Sequence, residues 1–253
     1  MPTPHLTIER AHLAFNNHII FSDFNLTIHQ ADWIGILGPS GIGKTSLLRL
    51  IAGLKNPHEK SSVILTASNR IPITQQIAYM TQTDLLLPWL TVLENATLCT
   101  KLRYYTNSTA SIITDKATSL LKEVGLEHAM HLYPTQLSGG MRQRVALVRT
   151  IIEDKPIVLL DEPFQNLDAI TRYQLQTLIA HLLRNKTVLF ITHDPTEALR
   201  LAHTIYIMQG HPATLKCVAN LSSAPPRELN HPDIMMLQAS LFNELSLAAG
   251  KTI

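Results

Sequence analysis

GPSGIGKTS, Gly38 to Ser46, is the stretch from which the rest of this chain can be read. It sets Gly38, Gly43, Lys44 and Thr45 at the fixed positions of G-x-x-x-x-G-K-[ST]. The spacing has a physical purpose. From Gly38 through Pro39, Ser40, Gly41, Ile42 and Gly43 the backbone N–H groups can crowd around a di- or triphosphate, and the helix opened by Ser46 adds the positive end of its dipole. Lys44 is placed to reach β/γ-phosphates and Thr45 to offer its hydroxyl to Mg2+. The flanks agree: Trp33-Ile34-Gly35-Ile36-Leu37 reads as a short buried strand, and Ser46 to Ala52 as an amphipathic helix closed by Gly53.

The bulk numbers narrow the class. A chain of 253 residues can bury a full core. Its formal charge of +2 is too balanced for a protein built mainly to grip nucleic acid. The twelve histidines form no ligand-spaced cluster, and Cys99 and Cys217 lie far apart, which reads as two reduced thiols. The opening Met-Pro-Thr-Pro-His lacks the features of a signal peptide. No apolar run approaches the roughly 20 residues of a membrane helix, so work at a membrane would go through a partner.

Along the chain, Leu6 to Ile8, Ile19 to Phe21 and Phe24 to Ile28 read as strands. Residues 55 to 72 read as irregular, with Val63 to Leu65 a short strand. Ile77 to Met80 is a further strand. Residues 84 to 135 read as mostly helical, with a break at Asn107-Ser108-Thr109, followed by a helix around Gly140 to Ile152. Strands at Ile157 to Leu160, Thr187 to Thr192 and Ile205 to Met208 alternate with helices at Tyr173 to Leu183 and Pro195 to Leu201. The alternation predicts a parallel-rich sheet covered by helices, with the last strand just before Gly210. After a break at Ser222 to Pro226, Pro232 to Leu247 has helical spacing, either a packing helix or a regulatory or dimer-contact one.

Ile157 to Phe164, IVLLDEPF, puts Asp161 and Glu162 at the C-terminal end of a buried strand, where α/β sheets bind ligands. Asp161 can hold Mg2+ through water, and Glu162 can polarise a water attacking a γ-phosphate. Leu137 to Arg144, LSGGMRQR, opens a helix with Ser138, Gly139 and Gly140, a second anion-binding N-terminus. Here the chain resembles the ATP-binding-cassette (ABC) ATPases, whose signature is LSGGQ; Met141 stands for the usual Gln, with Gln143 two positions on.

The resemblance covers about residues 6 to 210, and it implies roles for further residues. Two copies would pair head to tail, and Ser138, Gly139, Gly140 and Asp168 of one would complete the nucleotide site of the other. Thr192-His193-Asp194 resembles the switch histidine, so His193 would touch the γ-phosphate and hold the water. Gln82 resembles the Q-loop glutamine, touching Mg2+ and the water. Phe15 stands where the family stacks an aromatic on adenine; a core role is the alternative. Asn166-Leu167-Asp168 resembles the D-loop, with Gln165 and Asn166 departing from the common pattern. Residues 57 to 70 also depart, lacking the glycine most relatives carry. Asp84 to Leu90, DLLLPWL, is either a buried turn or a docking groove for a membrane protein with Trp89 as anchor.

The implied fold is a RecA-like P-loop NTPase α/β core with an N-terminal antiparallel β-subdomain and an inserted helical subdomain near 84–150. Residues 1–221 would form the ATPase domain and 222–253 a helical tail. The implied function is ATP hydrolysis that powers a bacterial importer from the cytoplasmic face of the membrane. Its partners would be a second copy, membrane permease subunits and a substrate-binding protein, with no direct nucleic acid. LLLPWLTVLENATL resembles the nitrate, sulfonate, taurine and thiamine-precursor group, and AYMTQTDLLLPWL and THDPTEALRLAH look most like hydroxymethylpyrimidine importer subunits. Two other classes compete: a soluble ABC ATPase acting on nucleic acid or the ribosome, and a non-hydrolysing scaffold. The single cassette without a heptad insertion argues against the first, and Glu162 against the second.

Overall fold

The computed structural model of the protein describes residues 5–16, 18–54, 59–67, 69, 71–103, 107–248 and 250. The chain runs β1 (Leu6–Phe15), β2 (His18–Ile28), β3 (Trp33–Leu37), α1 (Lys44–Ile51), β4 (Glu59–Ala67), β5 (Ile77–Met80), α2 (Val92–Arg103), α3 (Asn107–Glu123), α4 (Gly139–Ile152), β6 (Ile157–Asp161), α5 (Ala169–Leu182), β7 (Thr187–Ile191), α6 (Pro195–Leu201), β8 (Thr204–Gln209), β9 (Thr214–Asn220) and α7 (Pro232–Ala248).

Two sheets result. A six-stranded sheet has the order β5-β6-β7-β3-β8-β9, and a three-stranded antiparallel sheet the order β2-β1-β4. In the larger sheet β5, β6, β7, β3 and β8 run parallel. Their unbroken apolar runs follow from burial on both faces. Along β3, Trp33 and Leu37 enter the core beneath the helices, while Ile34 and Ile36 enter the core beneath the antiparallel sheet and α1. Val158 and Leu160 of β6 and Val188 and Phe190 of β7 share the first core; Leu159, Leu189 and Ile191 share the second. A period of two thus feeds two cores from one strand. Gly35 fits this crowding: a Cβ there would stand 3.1 Å from Phe190 Cζ and 3.2 Å from Ala202 Cβ.

The structure corrects several sequence expectations. The separate strands at 19–21 and 24–28 are one strand, β2, bulged against β1, and β1 runs on to Phe15. Positive φ at Arg10 and Asp23 marks the irregularities, and the Asn25 side chain spans them, accepting from Arg10 N–H and donating to Asp23 O. β4 is nine residues long rather than three, because pairing with β1 supplies the order that its polar composition does not. Asn107 to Thr109 is no break but the start of α3; residues 104–106 lie outside the described residues, as do 55–58. Asn, Ser and Thr open helices as readily as they end them. β8 is not the last strand, since β9 returns antiparallel along it as a half-exposed edge.

α2, α3 and α4 form the helical layer against β5 and β6, with Val92, Ala96, Leu121, Val145 and Val148 in its core. Thr91 and Glu94 cap α2 reciprocally: Thr91 N–H donates to Glu94 Oε2 at 2.9 Å, and Glu94 N–H to Thr91 Oγ1 at 3.3 Å. At the far end, α7 inserts Ile234 and Leu241 into the helix-side core, while Met235, Met236 and Phe242 stay exposed. Arg227 anchors the chain before α7, donating to the carbonyls of Leu199, Ala202, Leu221 and Ser223.

Candidate nucleotide site

The phosphate loop leaves β3 through Gly38, whose φ is +146° and whose added Cβ would meet Met208 O at 2.5 Å. The loop ends at Gly43, the N-cap of α1, at φ +109°. A Cβ on Gly43 would stand 2.4 Å from Ile20 Cγ2, so the antiparallel sheet sits directly on the loop. No other residue type satisfies both the angle and the space. Lys44 is buried, and its Nζ donates to Gly38 O at 2.7 Å and Pro39 O at 2.9 Å. The ammonium thus curls back over its own loop. Burial lowers its pKa, opposed by the negative charges of Glu162 and Asp161.

Parallel register brings the acidic residues to the same edge. Asp161 ends β6 opposite Ile191, Glu162 N–H donates to Ile191 O at 3.0 Å, and Thr192 N–H donates to Ile36 O at 3.2 Å. The ends of β6, β7 and β3 therefore deliver Asp161, Glu162, His193 and the phosphate loop together. Glu162 Oε2 lies 3.3 Å from His193 Nδ1. Glu162 has φ +49°, a left-handed backbone at a non-glycine residue.

Asp161 is fully buried, and neither carboxylate oxygen has a hydrogen bond of normal geometry. Burial raises its pKa above the usual carboxylate range; the neighbouring Thr45 hydroxyl, Lys44 and Tyr79 work the other way. Burial, and then the charge of Asp161, push the Tyr79 phenol upward, which keeps it protonated. A buried carboxylate with unpaired oxygens beside a hydroxyl is a hard oxygen donor set, and it fits Mg2+.

The remaining sequence-predicted residues occupy defined places. Ser138 N-caps α4, its Oγ accepting from Met141 N–H at 3.2 Å. Asp168 N-caps α5 through Thr171 N–H at 3.0 Å, and Asp194 N-caps α6 through Thr196 N–H at 2.8 Å. A Cβ on Gly140 would stand 2.9 Å from Asn166 O, so the LSGG turn and the Asn166-Leu167-Asp168 loop pack side by side. Gln82 stands exposed two residues past β5, and Phe15 at the open end of β1 is 36% exposed, too much for a core role. Among the described residues, no hydrogen bond or ion pair joins either side chain to the Asp161–Glu162 edge.

Several residues that matter here escape a motif reading. The buried Gln143 donates from Nε2 to Glu162 O at 3.1 Å, tying α4 to the end of β6. Asn95, wholly buried, accepts from Leu87 N–H and donates to the carbonyls of Leu87, Leu90 and Thr91. Arg142 bonds Asp84, and Arg149 bonds the carbonyls of Asp84 and Leu85. Together they hold the 84–91 loop in a shape that leaves Leu85 61% and Trp89 69% exposed, which rules out the buried-turn reading of those side chains. No motif marks them: Asn95 lies in VLENATLCTKLR, and Arg142, Gln143 and Arg149 in GGMRQRVALVRTII, each among other polar residues.

Glu197 is the other buried acid among the described residues. Burial, more than any neighbouring charge, raises its pKa from 4.5 to about 7, while the Thr192 hydroxyl and Arg172 favour the ionised form and Asp194 and Glu162 oppose it. A carboxyl raised by folding contributes stability in full below its unfolded value near 4.5 and loses it as pH rises through about 7. The loss is on the order of 3 kcal/mol. Glu197→Gln is therefore expected to raise Tm by on the order of 5 °C at pH 8, with the gain shrinking toward pH 5. Parallel Tm–pH curves for the two proteins would contradict this.

Comparison with known proteins agrees with the geometry. The ABC transporter family model matches residues 21–165. An uncharacterized ABC transporter ATP-binding protein of Haemophilus influenzae is 40% identical over 94% of this chain and 97% of its own. The aliphatic sulfonates import ATP-binding protein SsuB of Delftia acidovorans is 35% identical over 93% of this chain and 92% of its own. Among solved structures, the dimeric post-hydrolysis state of the cassette MJ0796 bound to ADP and Pi has a TM-score of 0.74 at 27% identity, covering 86% of this chain and 99% of that one. A phosphate loop after β3, a buried acid at the end of β6 and a likeness that spans whole cassettes make the same statement: this chain, with its RecA-like core, belongs to the ABC transporter family as an ATP-binding ATPase.

Proposed function

We propose that this ATPase powers a bacterial importer for a small organic nutrient, working as a pair of copies at the cytoplasmic face of the membrane beneath permease subunits that receive solute from a substrate-binding protein. The observation that carries this is the loop at 84–91: Leu85 and Trp89 are held out into solvent by the buried Asn95 and the half-buried Arg142 and Arg149. Organised exposure of a tryptophan suits a docking surface. No described helix is long and apolar enough to cross a membrane, so that surface would meet the permease. Likeness to an aliphatic sulfonates import subunit supports import, and no observation favours a role on nucleic acid or the ribosome.

In the proposed site, Gly38 to Ser46 surround the phosphates, with Lys44 on the β- and γ-groups and Phe15 against adenine. Thr45 and Asp161, joined by Gln82, would hold Mg2+, which when bound supplies charge neutralisation at the phosphates. Glu162 takes the proton of the attacking water, and His193 and Gln82 orient that water. Ser138, Gly139, Gly140 and Asp168 act on the nucleotide of the other copy. Such positioning and charge stabilisation are most of what phosphoryl transfer needs. Residues 1–221 carry this chemistry in the proposal, with 222–253 as a helical tail.

For the cargo we favour a hydroxymethylpyrimidine precursor of thiamine, within a group that includes sulfonates and nitrate. The test is uptake of the radiolabelled pyrimidine, an aliphatic sulfonate and nitrate in cells with and without this gene. Loss of pyrimidine uptake alone is the expected result. Loss of sulfonate or nitrate uptake instead would move the cargo within the group, and unchanged uptake of all of them would reject it.

A further inference from the structure

His193 has little packing of its own. Its side chain is 61% exposed and meets Glu162 at 3.3 Å. Its aim is therefore set by the backbone of its neighbours, Thr192 and Asp194. Both neighbours are tied into one polar cluster: Thr192 donates from Oγ1 to Glu197 Oε2 at 2.5 Å, and Asp194 N–H donates to Thr192 Oγ1 at 3.0 Å. Glu197 is buried, so the cluster sits where a charge interaction is only weakly screened.

Arg172, one turn into α5, reaches this cluster from the other side. Its Nη1 donates to Asp194 Oδ2 at 3.4 Å, and its Nε stands 3.7 Å from Glu197 Oε1. Its third contact points elsewhere: Nη2 donates to Leu167 O at 3.1 Å. Leu167 lies in the Asn166-Leu167-Asp168 loop that packs on the LSGG turn at Gly140. One planar guanidinium thus spans that loop and the two acids that hold the residues flanking His193. The fork geometry suits an arginine in a way a lysine cannot match.

We infer that Arg172 is a positioning residue, coupling the Asn166-Leu167-Asp168 loop to His193 through Asp194, Glu197 and Thr192. The inference rests on the proposed roles of His193 and of that loop at the dimer contact. Approach of the second copy shifts the loop, Arg172 carries the shift to Asp194 and Glu197, and His193 is brought to its working position only in the closed pair. Arg172 is not needed merely to join the helices. α5 and α6 are already held by Arg200, whose guanidinium lies 3.4 Å from the Tyr173 ring centre and donates to Thr177 Oγ1 at 2.8 Å, and by Leu175, Ile179, Ala198 and Leu199 in the shared core. The Arg172 cluster is polar and local, and its loss leaves that packing in place.

Steady-state ATPase kinetics of the full chain test this, with Arg172→Gln, Arg172→Lys, His193→Ala and the Arg172→Gln/His193→Ala double variant. Arg172→Gln should lower kcat about 10-fold with KM for ATP within about twofold of wild type, because the residue touches no nucleotide. Arg172→Lys, which keeps the charge beside Glu197, should recover part of the loss. In the His193→Ala background Arg172→Gln should add less than about twofold, since residues acting through one another are non-additive. A further loss of about 10-fold in that background, or a raised KM at unchanged kcat, overturns the coupling while leaving the His193 assignment intact. Wild-type hydrolysis by His193→Ala overturns the His193 assignment itself, and the coupling with it, in a variant whose Arg172 cluster is untouched. If Arg172→Gln does not fold, Arg172→Lys alone and in the His193→Ala background decides the same question.

Discussion

Glu162→Gln is expected to bind ATP, to hydrolyse it at least about 100-fold more slowly than wild type, and to accumulate as an ATP-bound dimer. A positioned general base contributes roughly 100- to 10,000-fold. Glu162 is the carboxylate that the structure places 3.3 Å from His193, at a backbone angle of +49° that a non-glycine residue rarely adopts. The substitution keeps shape, backbone strain and the Glu162 N–H bond to Ile191 O, so folding is expected to be unchanged. What it removes is the ability to accept a proton. Phosphate release measured beside size-exclusion chromatography in ATP decides it. A variant hydrolysing at the wild-type rate would assign the base elsewhere, and slow hydrolysis with no dimer would separate base chemistry from the proposed sandwich.

Lys44→Ala is expected to weaken ATP binding about 100-fold, corresponding to roughly 3 kcal/mol for a charge-assisted hydrogen bond in a buried site. Its Nζ already bonds Gly38 O and Pro39 O, so the ammonium is pre-positioned inside the loop rather than recruited from solvent. Burial lowers its pKa, yet Asp161 and Glu162 favour the charged form, and a polyphosphate would favour it further. Calorimetric titration with ATP, with Tm recorded for each protein, distinguishes lost affinity from lost fold. Unchanged affinity in a folded variant would contradict the proposed phosphate contact.

Much of this molecule is legible in one dimension because its chemistry is local. Gly38, Gly43, Lys44 and Thr45 work through backbone angles and a helix end that span only a few residues. The apolar runs at Trp33–Leu37, Ile157–Asp161 and Thr187–Ile191 announce strands buried on both faces, and a parallel sheet then requires their C-terminal ends to share an edge. The sequence by itself therefore determined the α/β class, the phosphate loop, and the candidacy of Asp161 and Glu162, while that of His193 came from the resemblance to the ABC family. It misjudged β4 and β9, whose order comes from pairing with β1 and β8 rather than from their own composition. Tertiary structure alone decided which polar side chains support the site. Gln143 reaches Glu162 across 19 positions, Arg149 reaches Asp84 across 65, and Arg172 reaches Asp194 across 22. Contacts at such separations leave no periodic or spacing signal, because the residues meet only after β6, β7 and the helices that cover them have been packed side by side.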